Sequence, residues 1–246
     1  MHREPDLAAA LIELADIHGK AFDEAGYTDL LARRAAVLLD ADSAGVLLTG
    51  ADGALTAIAA STETARVLQL IQLRVHDGPG ITCFRNAAPV SIADLREDRR
   101  WDTFRSATLT AGFTAVHAVP LGLREQTIGS LSLFRRRPGP LEYEEDRISE
   151  SLAAIAGAGL LSKRALAKAE TLSGQLQTAL HSRIVIEQAK GILAERHGIA
   201  VDRAFERMRS FARHDRRRLD DVARAVIGRN ASVAGLAERQ AKPSTL

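Results

Sequence analysis

Residues 179–227 read ALHSRIVIEQAKGILAERHGIAVDRAFERMRSFARHDRRRLDDVARAVI, and this stretch decides how the C-terminal part of the chain folds. Its apolar residues recur at intervals of three and four, the spacing of one face of an α-helix. His197-Gly198 interrupts this pattern once, and the basic turn His214–Arg218 interrupts it a second time. We therefore predict three helices packed around a common core, with Gly198 ending the first helix and Asp202 capping the second.

Positive charge is concentrated in the same stretch. Residues 181–229 hold 12 Lys and Arg against 7 Asp and Glu, whereas the rest of the chain carries a net charge of −3. A basic end on a mildly acidic body favours a polyanionic partner, and small helices that bury one face can offer their other faces to phosphates. The candidate nucleic-acid contacts are Arg183, Gln188, Lys190, Arg209, Arg213 and Arg218.

The first of these helices also has a simpler interpretation. Arg183, Glu187 and Lys190 lie on one stripe, at spacings of three, four and seven residues. A ladder of salt bridges on a solvated helix face explains these three residues without any partner. Gln188 suits either contact with a base edge or simple solvation. Gly191 indicates close helix packing or a close backbone approach.

A long helix is predicted upstream of this stretch, because Glu142 to about His197 contains no proline. Its apolar residues follow a rough heptad and then a stripe of leucines that ends at Leu180. Two interpretations fit this stripe: a two-helix seam between the protomers of a homodimer, or a connector that packs on its own domain. Pro138-Gly139-Pro140 precedes the helix and marks a domain boundary.

The N-terminal part has the pattern of a mixed α and β domain. The apolar runs 44–49 (AGVLLT) and 55–60 (LTAIAA) flank Asp52-Gly53, the strongest short signal for a β-hairpin. Thr28 is the expected N-cap of the second helix. Further strands are predicted at 89–92, 115–121 and 128–134, and a helix at 98–111. The fold class that follows is α+β: an antiparallel sheet with flanking helices, a long connecting helix and a C-terminal all-α bundle.

Composition and motifs exclude several classes of protein. The 246 residues are 46% hydrophobic and 26% charged, and no run of about 18 apolar residues predicts a membrane span. The single cysteine, Cys83, cannot form an internal disulfide, and the N-terminus lacks the pattern of a secretory signal, so we expect a cytoplasmic protein. No HExxH, GxSxG, CxxC or GxxxxGK[ST] motif occurs, and no histidine spacing suits a metal site. We therefore expect a protein that is not an enzyme and holds no metal.

The C-terminal stretch resembles a known family. The residues that carry this resemblance are Ser182-Arg183, Ile186-Glu187-Gln188-Ala189-Lys190-Gly191, Ala204-Phe205, Arg209, Ala212, Leu219, Val222 and Ala223. Their identity and spacing closely resemble the ANTAR family, the three-helix RNA-binding module of transcription antitermination regulators. The resemblance implies binding to hairpins in nascent leader RNA, with the basic residues on phosphates and with unpaired loop bases as the sequence-specific target. Met208 stands where the family usually has leucine, which is a volume-conserving change.

The order of elements in the N-terminal region resembles a GAF domain, a signal-sensing fold related to PAS domains. That order is a helix, the AGVLLT hairpin, a helix, HDGPG, PVSIADL, a helix with Trp101, AVHAVPL and TIGSLSLF. The resemblance implies a small-molecule or protein signal and requires no cofactor, although such a domain can also bind nothing and only dimerise. The candidate pocket residues are His76, Asp77, Cys83 and His117. A structural loop and a buried thiol explain the first three better than a pocket does, and a histidine in a strand is more often packed than a ligand.

The predicted organisation has four parts: a GAF-like sensor domain at 1–138, a helical connector at 139–178, an ANTAR domain at 179–230 and a flexible tail at 231–246. We expect a bacterial, homodimeric regulator that binds RNA hairpins in response to a signal and promotes transcription antitermination. A DNA-binding regulator with a helix-turn-helix is the alternative. A histidine-phosphorelay fragment fits His181-Ser182 on a long helix, but it needs glycine-rich ATP-binding loops that this sequence lacks.

Overall fold

The computed structural model describes residues 3–16, 22–124, 126–230, 233 and 236. The chain divides into two compact units, Met1–Leu166 and Ala167–Leu246. Helix α6 (Tyr143–His197) contributes residues to both units. Among the described residues, no helix is both long and apolar enough to cross a membrane.

The first unit is built on a five-stranded antiparallel sheet, as the sequence predicts. The elements are α1 (Arg3–Ala15), α2 (Glu24–Leu38), β1 (Ser43–Thr49), β2 (Leu55–Ala60), α3 (Glu63–Val75), α4 (Pro79–Asn86), β3 (Val90–Ile92), α5 (Asp102–Thr110), β4 (Ala115–Leu123) and β5 (Gln126–Arg135). The order of the strands in the sheet is β2-β1-β5-β4-β3. The predicted hairpin joins β1 to β2, and Gly53 takes the positive φ of +78° that its turn requires.

Helix α2 begins one turn earlier than the sequence indicates. Its N-cap is Asp23, whose carboxylate accepts hydrogen bonds from the backbone N–H groups of Ala25 and Gly26. The prediction that Thr28 caps this helix is therefore wrong. Thr28 is buried inside the first turns, where its hydroxyl donates to the Glu24 carbonyl at 2.8 Å. A threonine can satisfy its hydroxyl within a helix in this way as well as cap one, so the residue type alone was ambiguous.

The two faces of the sheet support two separate cores, because side chains alternate along each strand. Val119 and Leu131 belong to the core formed with α1, α2 and the start of α6. Val116 and Phe134 belong to the core formed with α3 and α5. Helix α6 packs against the sheet so closely at Gly157 that there is no room for a side chain. A Cβ added at Gly157 would lie 2.3 Å from the Gly122 backbone nitrogen.

Among the described residues, Arg164 makes the most C-terminal ion pair between α6 and the rest of the first unit. Its guanidinium pairs with Glu24 at 2.6 Å and donates to the Thr49 carbonyl at 2.7 Å. Beyond it, residues 165–181 are all exposed, including leucines 166, 172, 176 and 180. A connector that packs on its own domain therefore describes α6 only as far as Arg164.

The second unit contains the three predicted helices. Helix α6 ends at His197, and Gly198 follows with a φ of +61°; α7 spans Val201–His214 and α8 spans Leu219–Ile227. Asp202 is not the N-cap of α7, since that position belongs to Ala200. It lies in the first turn instead, where its charge favours the helix N-terminus.

One apolar core joins the three helices of this unit. Its members from the three helices include Val185, Leu193, Met208, Phe211, Val222 and Val226. Val233 and Leu236 are buried in the same core, and the remainder of the predicted tail at 231–246 lies outside the described residues.

Candidate nucleic-acid interface

The buried stripes of α6 and α7 determine which side chains can reach a partner. Val185, Ala189 and Leu193 face the core from α6, while Ala204 and Met208 face it from α7. With 100° of rotation per residue, residues three, four or seven apart share one side of a helix. Each helix therefore has a flank on either side of its buried stripe, and an outward face on the side opposite that stripe.

Lys190 is more enclosed than the sequence indicates. Its side chain is 14% exposed, and its Nζ lies 2.9 Å from both carboxylate oxygens of Glu187. The same ammonium lies 5.3 Å from the ring centroid of Phe205 on α7. The salt-bridge interpretation thus holds for Lys190 and Glu187, and a cation–π contact fixes this lysine between the two helices.

Arg183, Arg209 and Arg213 are exposed, and none of them forms an ion pair with a carboxylate that the structure describes. Arg183 shares a flank of α6 with Lys190, and Arg209 and Arg213 continue the flank of α7 that begins at Phe205. Because the Lys190–Phe205 contact joins these two flanks, the four basic residues lie along one surface. We call Arg183, Lys190, Arg209 and Arg213 the cationic ridge.

The other two predicted contacts lie elsewhere. Gln188 is exposed on the opposite flank of α6 from Lys190. Arg218 is the N-cap residue of α8, and its Nε lies 3.3 Å from a carboxylate oxygen of Asp220. Arg218 therefore already has a counter-charge, whereas the three unpaired arginines of the ridge do not.

Two basic residues that the sequence did not single out hold α8 against α6. Arg196 donates to the Val226 carbonyl at 3.3 Å, and Arg224 Nη1 lies 3.4 Å from His181 Nε2. Sequence spacing could not identify these roles, since it does not tell which helix faces another. The contact with Arg224 gives His181 a structural partner in the same bundle.

The four candidate pocket residues of the first unit are not brought together. His76 and Asp77 are exposed after α3, and Cys83 is fully buried in α4, where burial raises the pKa of its thiol to about 12. His117 lies on β4 and contacts α6, on the sheet face opposite α3 and α4. No group of His, Cys, Asp and Glu side chains within the described ranges is arranged to hold a metal ion.

His117 belongs to a buried polar group at the start of α6. Its Nε2 lies 3.1 Å from an Asp146 oxygen and 3.5 Å from the Ser149 hydroxyl. Because both partners meet the same ring nitrogen, this is not the geometry of a catalytic triad, in which the acid contacts the other nitrogen. Arg135 and Glu145, 3.8 Å apart, complete the group. Burial lowers the pKa of His117, Asp146 opposes this shift and Arg135 adds to it.

We expect the stability of the first unit to fall as the pH drops below about 6.5. The unfolded chain protonates His117 near that pH, whereas the folded chain, with its lowered pKa, does so only at lower pH, so protons favour unfolding. Urea unfolding followed by the fluorescence of Trp101, the only tryptophan, measures this dependence. His117→Gln should flatten it and the exposed-site control His76→Gln should not; equal pH profiles for all three proteins would contradict the prediction.

An uncharged polar cluster occupies the other face of the sheet. Gln69, Gln72, Ser130 and Ser132 are fully buried between α3, the start of α4 and β5. Gln72 donates to Gln69 at 2.7 Å and accepts from the Gly80 N–H at 2.8 Å. Gln69 Nε2 and both serine hydroxyls have no hydrogen-bond partner among the described residues. The alternation in GSLSLF placed the serines on one face, but it did not reveal that α4 covers them.

Comparisons with known proteins agree with this two-part architecture. The GAF domain model matches residues 28–160, and the ANTAR domain model matches residues 174–227. These two domains in this order define a regulator of the antitermination family. The chain belongs to the GAF domain family, with an ANTAR domain following the GAF domain. No curated protein matches the chain in a whole-sequence comparison.

Solved GAF domains share the fold of the first unit. The GAF domain of an Acinetobacter phosphoenolpyruvate-protein phosphotransferase is 12% identical, with a TM-score of 0.53 over 65% of this chain and 93% of that chain. The GAF domain of a phosphoenolpyruvate-protein phosphotransferase from Coxiella burnetii is 14% identical, with a TM-score of 0.51 over 68% of this chain and 99% of that chain. At these identities the likeness concerns the fold alone.

Proposed function

We propose that this protein is a bacterial, cytoplasmic, non-enzymatic regulator that binds RNA hairpins and promotes transcription antitermination. One observation carries the proposal: a bundle matched by the ANTAR model exposes three arginines that have no carboxylate partner among the described residues. Unpaired guanidinium groups suit phosphates, because they are planar, always charged and weakly hydrated. The cationic ridge holds the phosphates of a stem, and unpaired loop bases supply the sequence preference.

The exposed stripe of α6 supports a homodimer. Leu172, Leu176 and Leu180 are each more than half exposed, on a helix segment that packs on no other described part of the chain. A second copy would bury this stripe as a two-helix seam. Two bundles on one dimer would raise the apparent affinity for a transcript with two hairpins, because the second contact becomes intramolecular.

In this proposal the GAF domain regulates RNA binding by the C-terminal bundle. A small molecule or a protein signal bound there changes how α6 presents the two bundles, provided that the signal binds the two states with different affinities. Bound hairpins in a nascent leader transcript would prevent the terminator from forming. Polymerase would then continue into the downstream genes.

The proposal is tested by measuring binding of the purified full-length protein to two pools of nucleic acid. Each measurement is made with and without cell extract as a source of signal. One pool contains RNA hairpins with a fixed stem and randomised loops, and the other contains duplex DNA of the same length. We expect selective retention of RNA hairpins with a common loop, two hairpins per protein dimer, and an affinity that falls steeply with salt. Preferential retention of the DNA, or retention of neither pool at low ionic strength, would overturn the proposed function.

A further inference from the structure

A cavity of about 230 Å³ lies in the first unit, beside the connector helix α6. Its walls come from four parts of the chain: the turn between α4 and β3, strand β4, the hairpin between β4 and β5, and α6. Neither the candidate pocket residues named from the sequence nor the uncharged polar cluster contributes a side chain to these walls. The cavity is therefore a separate feature of the first unit.

The walls of the cavity are stiff and largely apolar. Pro89 lies directly before β3 and Pro120 lies within β4, and each ring fixes the backbone φ of its own residue. Ala87 and Ala154 add only methyl groups. The volume equals that of about eight molecules of liquid water and is smaller than the usual site for a drug-sized ligand. It suits a compact organic molecule and is too small to enclose a nucleotide.

Two side chains of opposite charge line this cavity. Arg124 comes from the turn between β4 and β5, and Glu150 comes from α6. They form no ion pair with each other, and no carboxylate in the described part of the chain pairs with Arg124. Glu150 lies 3.4 Å from Arg147, in an exposed pair of a kind that contributes little to stability. The cavity thus offers one cation and one anion to a molecule that carries both charges.

We propose that this cavity binds a free amino acid with a compact apolar side chain. The carboxylate of the ligand pairs with the guanidinium of Arg124, whose planar fork matches it. The ammonium of the ligand pairs with the carboxylate of Glu150, and the apolar side chain packs against Pro120 and Ala154. A molecule with only one of the two charges would leave one protein charge without a partner in the complex, which lowers its affinity.

The bound amino acid would connect the β4–β5 hairpin to α6. Its contacts on α6, Glu150 and Ala154, lie two turns and one turn before Gly157, where α6 meets β4. Because α6 continues to His197 and forms the first helix of the second unit, the ligand is suited to be the regulatory signal. Only this last step rests on the proposed function, and it requires that two states of α6 bind the ligand with different affinities.

Calorimetric titration of the full-length protein tests the site without RNA. The probes are L-valine and L-leucine, together with two analogues of valine: isovalerate, which lacks the ammonium, and isobutylamine, which lacks the carboxylate. We expect one amino acid to bind per protomer, and each analogue to bind at least about tenfold more weakly. Absence of saturable binding by both amino acids, or binding of either analogue as tight as that of valine, would overturn the inference.

Three variants locate the binding to this cavity. Arg124→Gln and Glu150→Gln should each weaken amino-acid binding at least about tenfold, because each removes one of the two ion pairs. Arg147→Gln is the matched control: it removes the same charge as Arg124→Gln, but Arg147 does not line the cavity and its loss frees Glu150. The control should bind the amino acid as tightly as the wild type or more tightly. Thermal unfolding of all three variants checks that these solvent-accessible changes leave the fold intact.

The outcomes separate this inference from the proposed function. Equal losses in Arg124→Gln and Arg147→Gln, or unchanged binding in Arg124→Gln, would overturn the site. A protein that binds RNA hairpins but no amino acid would overturn only this inference. A protein that binds the amino acid but no RNA would overturn only the proposed function. Hairpin affinity that stays the same with and without saturating amino acid would overturn the role of the ligand as the signal.

Discussion

Replacing Arg209 and Arg213 together by alanine is expected to weaken hairpin binding by about 30-fold at moderate salt, which is about 2 kcal/mol. Both guanidinium groups are exposed on one flank of α7 without a carboxylate partner among the described residues, so they can meet phosphates at no cost in broken ion pairs. If each contacts one phosphate, the slope of log affinity against log salt should fall by about 0.7 to 0.9 per residue. Filter binding across a salt series measures both quantities.

Arg203 and Arg207 provide the matched control for this prediction. They lie on the other flank of α7, and Arg203 is within 3.9 Å of Glu206. The double alanine variant of this pair removes the same formal charge from the same helix. We expect it to change affinity by only a few-fold, through the general field of the bundle. Equal losses in the two double variants would mean that net charge, and not the cationic ridge, determines binding.

Lys190 shows why the ridge could be only partly predicted from the sequence. The helical spacing of Arg183, Glu187 and Lys190 placed them correctly on one stripe, because that spacing is a property of a single helix. The contact between Lys190 and Phe205 joins two helices, and no local pattern encodes it. Sequence analysis therefore identified the basic residues, but it could not tell the enclosed Lys190 from the unpaired Arg183.

In the first unit too, the sequence predicts the elements that depend on neighbouring residues, and it does not predict contacts between residues far apart in the chain. The Asp52-Gly53 turn and the proline-free stretch predicted a hairpin and a helix whose ends the structure places within a residue or two. In contrast, His117 meets Asp146 across 29 positions, and Ser130 is covered by a helix that begins 51 positions earlier. Both residues alternate as strand residues should, and their surroundings depend on which helix lies on which face of the sheet.

Gly157→Ala is expected to destabilise the first unit by about 3 kcal/mol, although alanine is the better helix former. The added Cβ would lie 2.3 Å from the Gly122 nitrogen and 2.6 Å from its Cα. These are backbone atoms of β4 and cannot rotate away, so α6 and the sheet must separate and lose packing between Leu152, Ala156 and the sheet core.

Gly174→Ala is the control for this last prediction, because it adds the same methyl group to the same helix outside the first unit. Its Cβ would meet nothing within 4 Å, so the intrinsic preference for alanine is the only effect, about 1 kcal/mol in favour of the helix. Urea unfolding followed by Trp101 fluorescence reports on the first unit, since Trp101 is the only tryptophan and precedes α5. The midpoint should fall for Gly157→Ala and stay unchanged for Gly174→Ala, with similar slopes. If Gly157→Ala unfolds at the wild-type midpoint or above it, α6 does not rest on β4 as closely as the structure describes. Residues 143–164 would then be free to move apart from the sheet at little cost.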